Sequence, residues 1–204
     1  GRLSNVATAG SAENIQRLIA ARTTCDQQLA LVQDGMVYPE GHGLELIGRL
    51  PVAESLVMLG RDLDRFRAPG DLKGVRLGIG PMGSGTEQLM RRVLAELSGL
   101  DIVVSTPPID VQLAMLERGD LDLGAMVISD KAKLLADAVV RRNLDILAMP
   151  NAESLTRRLP FARVGVIEAG QLDYVRQLPR VAKPVLQIDT LIISNGCASD
   201  GAIQ

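Results

Sequence analysis

The stretch GIGPMGSGT, from Gly78 to Thr86, decides the fold. It follows the apolar run 75–79, which predicts a buried strand, and it precedes 87–97, where apolar residues recur at helical spacing. The glycines therefore lie at a strand-to-helix turn. Ser84 and Thr86 are both suitable N-cap residues. Free backbone N–H groups and the positive end of the helix dipole favour an anion at such a turn, and glycine lets a ligand approach the backbone closely.

Two interpretations of this turn stay open. No Lys follows the last glycine, so the stretch is not a P-loop, and the glycine spacing does not match the dinucleotide-binding fingerprint. A glycine-rich turn at a helix start is often only a tight connection between a strand and a helix. The motif alone therefore predicts the local structure and leaves an anion site and a plain turn as alternatives.

The composition narrows the class of protein. The chain has 204 residues, of which 47% are hydrophobic and 23% charged, so it can bury a core and is not disordered. The formal net charge is −2 and no run of Lys or Arg stands out, which argues against nucleic acid and anionic membranes as partners. No apolar run is long enough to span a bilayer, and no signal peptide starts at Gly1. We therefore expect a cytosolic protein or an excised or processed part of a larger one.

The residues that commonly carry catalysis are isolated in this sequence. His42 is the only histidine, and it lies in a glycine-rich loop without a cysteine beside it. The carboxylates are scattered singly, so no paired acid–base arrangement is visible. No nucleophile, base and orienting group can be assigned together. We therefore expect a protein that is not an enzyme and that uses no metal and no cofactor.

The order of the predicted elements indicates an α/β fold. Apolar strands alternate with helices of about ten to fifteen residues, which predicts parallel or mostly parallel sheets. Proline-containing joints near 61–69 and 148–151 predict two lobes, one formed by 1–62 with 150–204 and the other by 63–149. Because ligands of such sheets bind at the carboxyl ends of the strands, polar residues at those ends should converge on a central cleft. They are Ser11, Gln33, Ser84, Thr86 and Ser129.

Four stretches, taken in order, resemble one family. They are TAGSAEN (8–14), LALVQDGMVY (29–38), DLKGVRLGIGPMGSGT (71–86) and LERGDLDLGAMVIS (116–129). In these stretches the chain is similar to the TAXI-type solute receptors of TRAP transporters, which are type II periplasmic binding proteins. The resemblance implies a two-lobed fold whose cleft captures a small organic anion or amino acid. It also implies a membrane transporter as partner and a periplasmic or other extracytoplasmic location.

The chain departs from the family pattern at both ends. Gly1 begins close to what resembles the family's second strand, Ala9 replaces a glycine, and the chain stops after Gln204, where the family has a further helix. We therefore expect a trimmed or divergent domain. The alternative function is a ligand-sensing or regulatory domain of a larger membrane or signalling protein. Transmembrane helices or a signalling module in the flanking sequence would select this alternative.

The pattern and the resemblance together give nine candidate ligand-binding residues: Ser11, Asn14, Gln33, Asp34, Gly83, Ser84, Gly85, Thr86 and Ser129. Ser84 and Thr86 are the strongest, because the family resemblance and the chemistry of a helix start agree on them. We expect Thr86→Ala to weaken binding without unfolding the protein.

Several of these candidates also have a purely structural explanation. Ser11 and Ser129 are suitable helix caps, and Gln33 and Asp34 are suitable turn residues. A carboxylate beside an anionic ligand would repel it. Asp34 or Asp130 is therefore interpreted as a partner for the ammonium group of a zwitterion.

The cysteines, Cys25 and Cys197, are a candidate disulfide. Cys25 precedes the strand 28–33 at its amino end, and Cys197 follows the strand 186–194 at its carboxyl end. In type II binding proteins, as the resemblance implies, the returning strand enters the first lobe's sheet antiparallel to its neighbours. If these two strands pair, both cysteines lie at one edge of the sheet, within disulfide distance. The alternative is two buried free thiols.

Overall fold

The computed structural model of the protein describes residues 4–197. Its helices are α1 (Ser11–Ala20), α2 (Gly85–Glu96), α3 (Ile109–Arg118), α4 (Lys133–Val140) and α5 (Ala152–Thr156). Its strands are β1 (Leu29–Gln33), β2 (Glu45–Arg49), β3 (Glu54–Gly60), β4 (Arg76–Gly78), β5 (Val103–Ser105), β6 (Leu123–Ile128), β7 (Asp145–Ile146), β8 (Ala162–Ile167), β9 (Lys183–Ile188) and β10 (Thr190–Ser194).

The strands form two sheets. The small sheet has the order β1-β10-β2 and is antiparallel. The large sheet has the order β5-β4-β6-β3-β9-β8, and β7 also pairs with β3. In the large sheet β4 pairs in parallel with β5 and β6, whereas β3 pairs antiparallel with β6 and β9. β8 completes the sheet by antiparallel pairing with β9.

The α/β prediction is confirmed, but the sheets are not mostly parallel, because the small sheet is antiparallel and the large sheet is mixed. Parallel pairing is restricted to β4 with its neighbours β5 and β6, where α2 and α3 supply the crossover connections. The pairs β1–β10 and β3–β9 join strands from distant parts of the chain. No single crossover helix links the members of these pairs, so nothing imposes a parallel arrangement on them.

The chain passes between the two sheets at points other than the proline-containing joints. It leaves the small sheet after β2, at residues 50–53, and returns at Asp189, between β9 and β10. The segment 61–69 buries Leu63 and Phe66 in the core and is not a free linker. β3, β8 and β9, which were assigned to the first lobe, share a sheet with β4 and β6. The predicted lobe boundaries stay a prediction, and residues 1–3 and 198–204 lie outside the described range.

Strand β3 is buried on both faces and separates two hydrophobic clusters. Leu56 and Met58 belong to one cluster, and Val57 and Leu59 belong to the other. This alternation with a period of two is that of a strand covered on both sides. The first cluster also contains Ile15 of α1, so it packs the small sheet and its helix against the large sheet. The cleft described below therefore lies at a junction that is held together by core packing.

Cys25 and Cys197 form a disulfide, and their Cα atoms are 5.5 Å apart. β1 and β10 pair antiparallel with Leu29 opposite Ser194, so the cysteines lie just beyond one end of this ladder. Asn195 anchors the same end, because its Nδ2 donates a hydrogen bond to the Leu18 carbonyl oxygen over 3.2 Å. The described structure therefore contains the disulfide pair and the antiparallel strand pairing that the resemblance implied.

Candidate functional site

A cleft of about 480 Å³ lies where the starts of α1, α2 and β3 meet the end of β1. Seven of the nine candidate residues line it, namely Ser11, Asn14, Gln33, Ser84, Gly85, Thr86 and Ser129. Asp34 and Gly83 are not among the lining residues. Apolar side chains such as Leu31 and Val52 line the rest of the cleft, together with Glu54 and Thr190. The structure thus brings most of the candidates together, and their contact with a ligand stays a prediction.

Helix α1 begins at the cleft without the side-chain cap that was expected from Ser11. Gly10 is the N-cap residue, with φ +128°, which favours glycine, and Ser11 is the first helical residue. Ser11 is buried, and its Oγ accepts a hydrogen bond from Gln33 N–H over 3.0 Å. Asn14 bridges to β1, because its Nδ2 donates to the Leu31 carbonyl oxygen over 2.7 Å. Both side chains therefore attach the helix start to β1.

Helix α2 begins with two local hydrogen bonds around its N-cap residue, Ser84. Ser84 Oγ accepts a hydrogen bond from Glu87 N–H over 3.1 Å, and Glu87 Oε2 accepts one from Gly83 N–H over 3.2 Å. The Gly83 N–H therefore already has an acceptor inside the protein, and its contact with a ligand stays a prediction. Thr86 is buried, and its Oγ1 accepts a hydrogen bond from Val127 N–H of β6 over 3.0 Å. The N–H groups of Gly85 and Thr86 have no acceptor among residues 4–197.

The starts of the two helices meet in the cleft. A Cβ atom on Gly10 would lie 3.8 Å from the Gly85 nitrogen, so the two backbones are near neighbours. A Cβ atom on Gly85 would lie 1.9 Å from Gln33 Oε1 and 3.1 Å from Ser11 Oγ. Gly85 therefore allows the Gln33 amide to pack directly on the first turn of α2. Two helix dipoles place their positive ends at the same point, which favours an acceptor or anionic group there.

Within the described range 4–197, Glu54 is the one charged residue that lines the cleft. It is the first residue of β3, and its Oε2 accepts hydrogen bonds from Gln33 Nε2 over 3.1 Å and from Thr190 Oγ1 over 3.3 Å. Sequence reasoning missed this residue. The signal that could have indicated it is a single carboxylate directly before the apolar run 55–60, where a polar strand end enters the cleft.

The carboxylates that were candidates for a ligand ammonium are used elsewhere. Asp34 forms an ion pair with Arg49 over 2.8 Å, and Arg49 also pairs with Asp189 over 3.0 Å. Asp189 pairs in addition with Arg163 of β8. This network neutralises Asp34 and ties the small sheet to the edge strand of the large sheet. Asp130 accepts a hydrogen bond from Gln171 Nε2 over 2.8 Å and does not line the cleft.

The ion pairs of this network lower the pKa of Asp189. The hydrogen bond from Arg163 lowers the pKa of Asp189, which partial burial would raise, and Arg49 lowers it further. The carboxylate therefore stays charged at neutral pH and holds two cations outside the cleft. As a result, the arginines near the junction of the sheets are committed to structural partners and do not add positive charge to the cleft lining.

Comparison with known proteins gives the fold and not the family. No protein-family model matches the chain, and no curated protein sequence matches it. Solved structures do match. The alkanesulfonate-binding protein SsuA from Xanthomonas axonopodis pv. citri, bound to MOPS, is 20% identical with a TM-score of 0.51, and the match covers 93% of this chain and 53% of that one.

Two further solved structures agree with this result. The putative periplasmic sulfonate-binding protein SsuA from Methylobacillus flagellatus KT is 9% identical with a TM-score of 0.53, covering 90% of this chain and 46% of that one. The arginine-, lysine-, histidine-binding protein ArtJ from Geobacillus stearothermophilus is 11% identical with a TM-score of 0.51, covering 91% and 64%. The chain spans between about half and two thirds of the length of these structures. It therefore has the α/β fold of periplasmic solute-binding proteins.

Proposed function

We propose that the chain is a solute-binding domain that captures a small carboxylate or amino acid in the cleft and delivers it to a membrane transporter. The observation that carries this proposal is the meeting of two helix starts, α1 and α2, in a cleft lined by Ser11, Gln33 and Thr86. Unpaired N–H groups at helix starts bind carboxylates well, and apolar lining removes the ligand from water. The resemblance to TAXI-type receptors adds the proposal that the transporter is of the TRAP type.

The proposed location is the periplasm or another extracytoplasmic compartment. The Cys25–Cys197 disulfide supports it, because such bonds persist in oxidising compartments. The solved structures with the same fold are described as periplasmic or as binding proteins. Among residues 4–197, no helix has the length and apolar character needed to cross a membrane.

Calorimetric titration against a panel of small ligands tests the proposal. The panel contains amino acids, dicarboxylates, 2-oxoacids and alkanesulfonates, preceded by a thermal-shift screen at millimolar concentration. We expect at least one carboxylate or amino acid to bind and to raise the melting temperature, because a ligand that binds only the folded state stabilises it.

A steric variant shows whether the ligand lies in the cleft. Ala53 lines the cleft directly before β3, so Ala53→Phe should fill the space and abolish binding. The matched control is Ala20→Phe, because Ala20 is exposed at the far end of α1, about 9 Å along the helix from Asn14, the last α1 residue that lines the cleft. A ligand that binds both variants equally well would rule out the cleft as its site.

A further inference from the structure

The carboxylate of Glu54 is held in position by hydrogen bonds to only one of its oxygens. Gln33 Nε2 and Thr190 Oγ1 both donate to Oε2, and Oε1 has no partner among the described residues. Oε1 is not buried, so it is accessible from the cleft that Glu54 lines. One oxygen therefore fixes the side chain while the other is available to a ligand.

Among residues 4–197, no group compensates the charge of Glu54 within the cleft. No Lys, Arg or His of this range lines the cleft, and none of its cations lies within ion-pair distance of Glu54. Arg49 of β2 is committed to Asp34 and Asp189. A ligand that carries only negative charge would be repelled by the Glu54 carboxylate, whereas a cationic group would be attracted to it.

The Gln33 side chain contacts both Glu54 and the start of α2. Its amide nitrogen donates to Glu54, and its amide oxygen packs against Gly85 at the start of α2. That oxygen is fully buried and accepts no hydrogen bond from any residue between 4 and 197. The Gln33 side chain therefore lies between the Glu54 carboxylate and the first turn of α2, where the free N–H groups are.

We propose that Glu54 recognises a protonated amine, so that the ligand is a small zwitterion whose ammonium and carboxylate are separated by one or a few carbons. The ammonium binds the free Glu54 oxygen, and the carboxylate binds the N–H groups at the helix starts. This inference rests on the proposed solute-binding function and narrows it, because it excludes dicarboxylates and sulfonates without an amine. It also assigns to Glu54 the role that the sequence suggested for Asp34 or Asp130.

Matched ligand pairs test the inference. Each amino acid is titrated beside the hydroxy acid and the unsubstituted acid that share its carbon skeleton, for example alanine with lactate and propionate. We expect the intact protein to bind the amine-bearing member about 10- to 100-fold more tightly, since a charge-assisted hydrogen bond supplies that difference. Equal binding of the paired compounds, or tighter binding of the acid without the amine, would overturn the inference.

The variant Glu54→Gln tests the contribution of the negative charge of Glu54 to ligand recognition. Glutamine keeps the shape and can still accept the hydrogen bonds of Gln33 and Thr190, so the fold and its melting temperature should persist. The preference for the amine should fall to about twofold or less. The control is Glu45→Gln, because Glu45 is exposed on β2 and does not line the cleft, and it should keep the full preference.

The outcomes separate this inference from the proposed function. If ligands without an amine bind and Ala53→Phe blocks them, the cleft is a binding site but Glu54 does not select an amine. If Glu54→Gln keeps the full preference, another group recognises the amine and the assignment to Glu54 is wrong. If no compound of the panel binds the intact protein, both proposals are contradicted.

Discussion

Gln112 and Gly80 are joined by a buried hydrogen bond, in which Gly80 N–H donates to Gln112 Oε1 over 3.1 Å. The Gln112 side chain is fully buried, and its Nε2 donates in turn to the Ala125 carbonyl oxygen of β6 over 2.9 Å. A Cβ atom on Gly78 would lie 2.5 Å from Gln112 Oε1, so the close approach of the amide requires glycine there. Gln112 of α3 therefore holds the glycine-rich turn before α2 against the large sheet.

Replacing this amide should destabilise the protein strongly. Gln112→Leu keeps the volume but leaves the buried Gly80 N–H and Ala125 carbonyl groups without partners, and each such group costs about 1–3 kcal/mol. Urea unfolding followed by circular dichroism measures the loss. The control Gln16→Leu changes an exposed residue of α1 and should stay within about 0.5 kcal/mol. Equal midpoints for the two variants would mean that the Gln112 bonds contribute little.

Gly85→Ala should change the geometry of the cleft with little effect on the stability of the fold. The added Cβ atom would lie 1.9 Å from Gln33 Oε1, so the flexible Gln33 side chain must rotate away and lose its hydrogen bond to Glu54. We expect a stability change within about 1 kcal/mol, because the better helix propensity of alanine offsets that lost bond. Ligand affinity should fall, because Gln33 and Glu54 both move.

The control for this variant is Gly70→Ala. Gly70 is exposed, and no atom would lie within 4 Å of its added Cβ. Binding by Gly70→Ala should match that of the unmodified protein. If Gly85→Ala also binds normally, the packing of Gln33 on the first turn of α2 is not part of the binding geometry.

The sequence predicts those parts of the cleft that depend on local pattern. The glycine-rich turn and the start of α2 follow from residues within one turn of each other, as does the helical spacing of Ile15 and Leu18 in α1. Ser84 is the N-cap residue because its hydroxyl accepts the Glu87 N–H three residues further on, while the Glu87 carboxylate accepts the Gly83 N–H. Such features need no knowledge of the tertiary fold.

The features that sequence analysis missed depend on long-range contacts. The run 185–194 alternates with a period of two, which predicts one strand, but the structure divides it at Asp189 into β9 of the large sheet and β10 of the small sheet. Strand β8 contains Gly165, which looks unfavourable for a strand but accommodates the Gln187 side chain of β9. Glu54 is one of many singly placed carboxylates in the sequence, and its hydrogen-bond partners Gln33 and Thr190 lie 21 and 136 residues away from it.

Thr86 has a structural role that changes the expected effect of its removal. β4 pairs with β6 only at Leu123 and Gly124, so further along β6 the Val127 N–H has no strand partner on that side and donates to Thr86 Oγ1. Thr86→Val should therefore lower the unfolding free energy by about 1–3 kcal/mol, whereas Thr86→Ser should retain most of the stability. Thr23→Val, at an exposed position, is the control. A Thr86→Val variant as stable as its serine counterpart would contradict this role.

Ionisation of Asp122 should make the free energy of unfolding depend on pH in the acid range. Arg76 donates to both carboxylate oxygens, over 3.0 and 3.1 Å, and Arg65 donates over 3.1 Å. These bonds, led by Arg76, lower the pKa of Asp122 to about 2, against an ordinary value near 3.9. Since the pKa is lower in the folded state, the stabilisation is present above about pH 5 and is lost as the pH falls towards 2.

The variant Asp122→Asn removes this dependence. Between pH 6 and pH 2.5 the intact protein should lose about 1 kcal/mol more than the variant, a value reduced because both arginines are about half exposed to solvent. Urea unfolding at several pH values measures the difference. Asp110→Asn, at an exposed carboxylate with no ion pair among the described residues, should follow the intact protein. Parallel curves for the intact protein and Asp122→Asn would exclude the Asp122 contribution.

The disulfide should stabilise the protein through its effect on the unfolded chain. Cys25 and Cys197 are 172 residues apart, and closing a loop of that length contributes about 5 kcal/mol in the chain-entropy model. We expect no free thiol under denaturing, non-reducing conditions, and a fall in melting temperature on reduction. The double variant Cys25→Ala with Cys197→Ala should show the lower melting temperature with or without reductant. Two free thiols per chain, or a double variant as stable as the oxidised protein, would contradict the prediction and remove the strongest chemical support for an extracytoplasmic location.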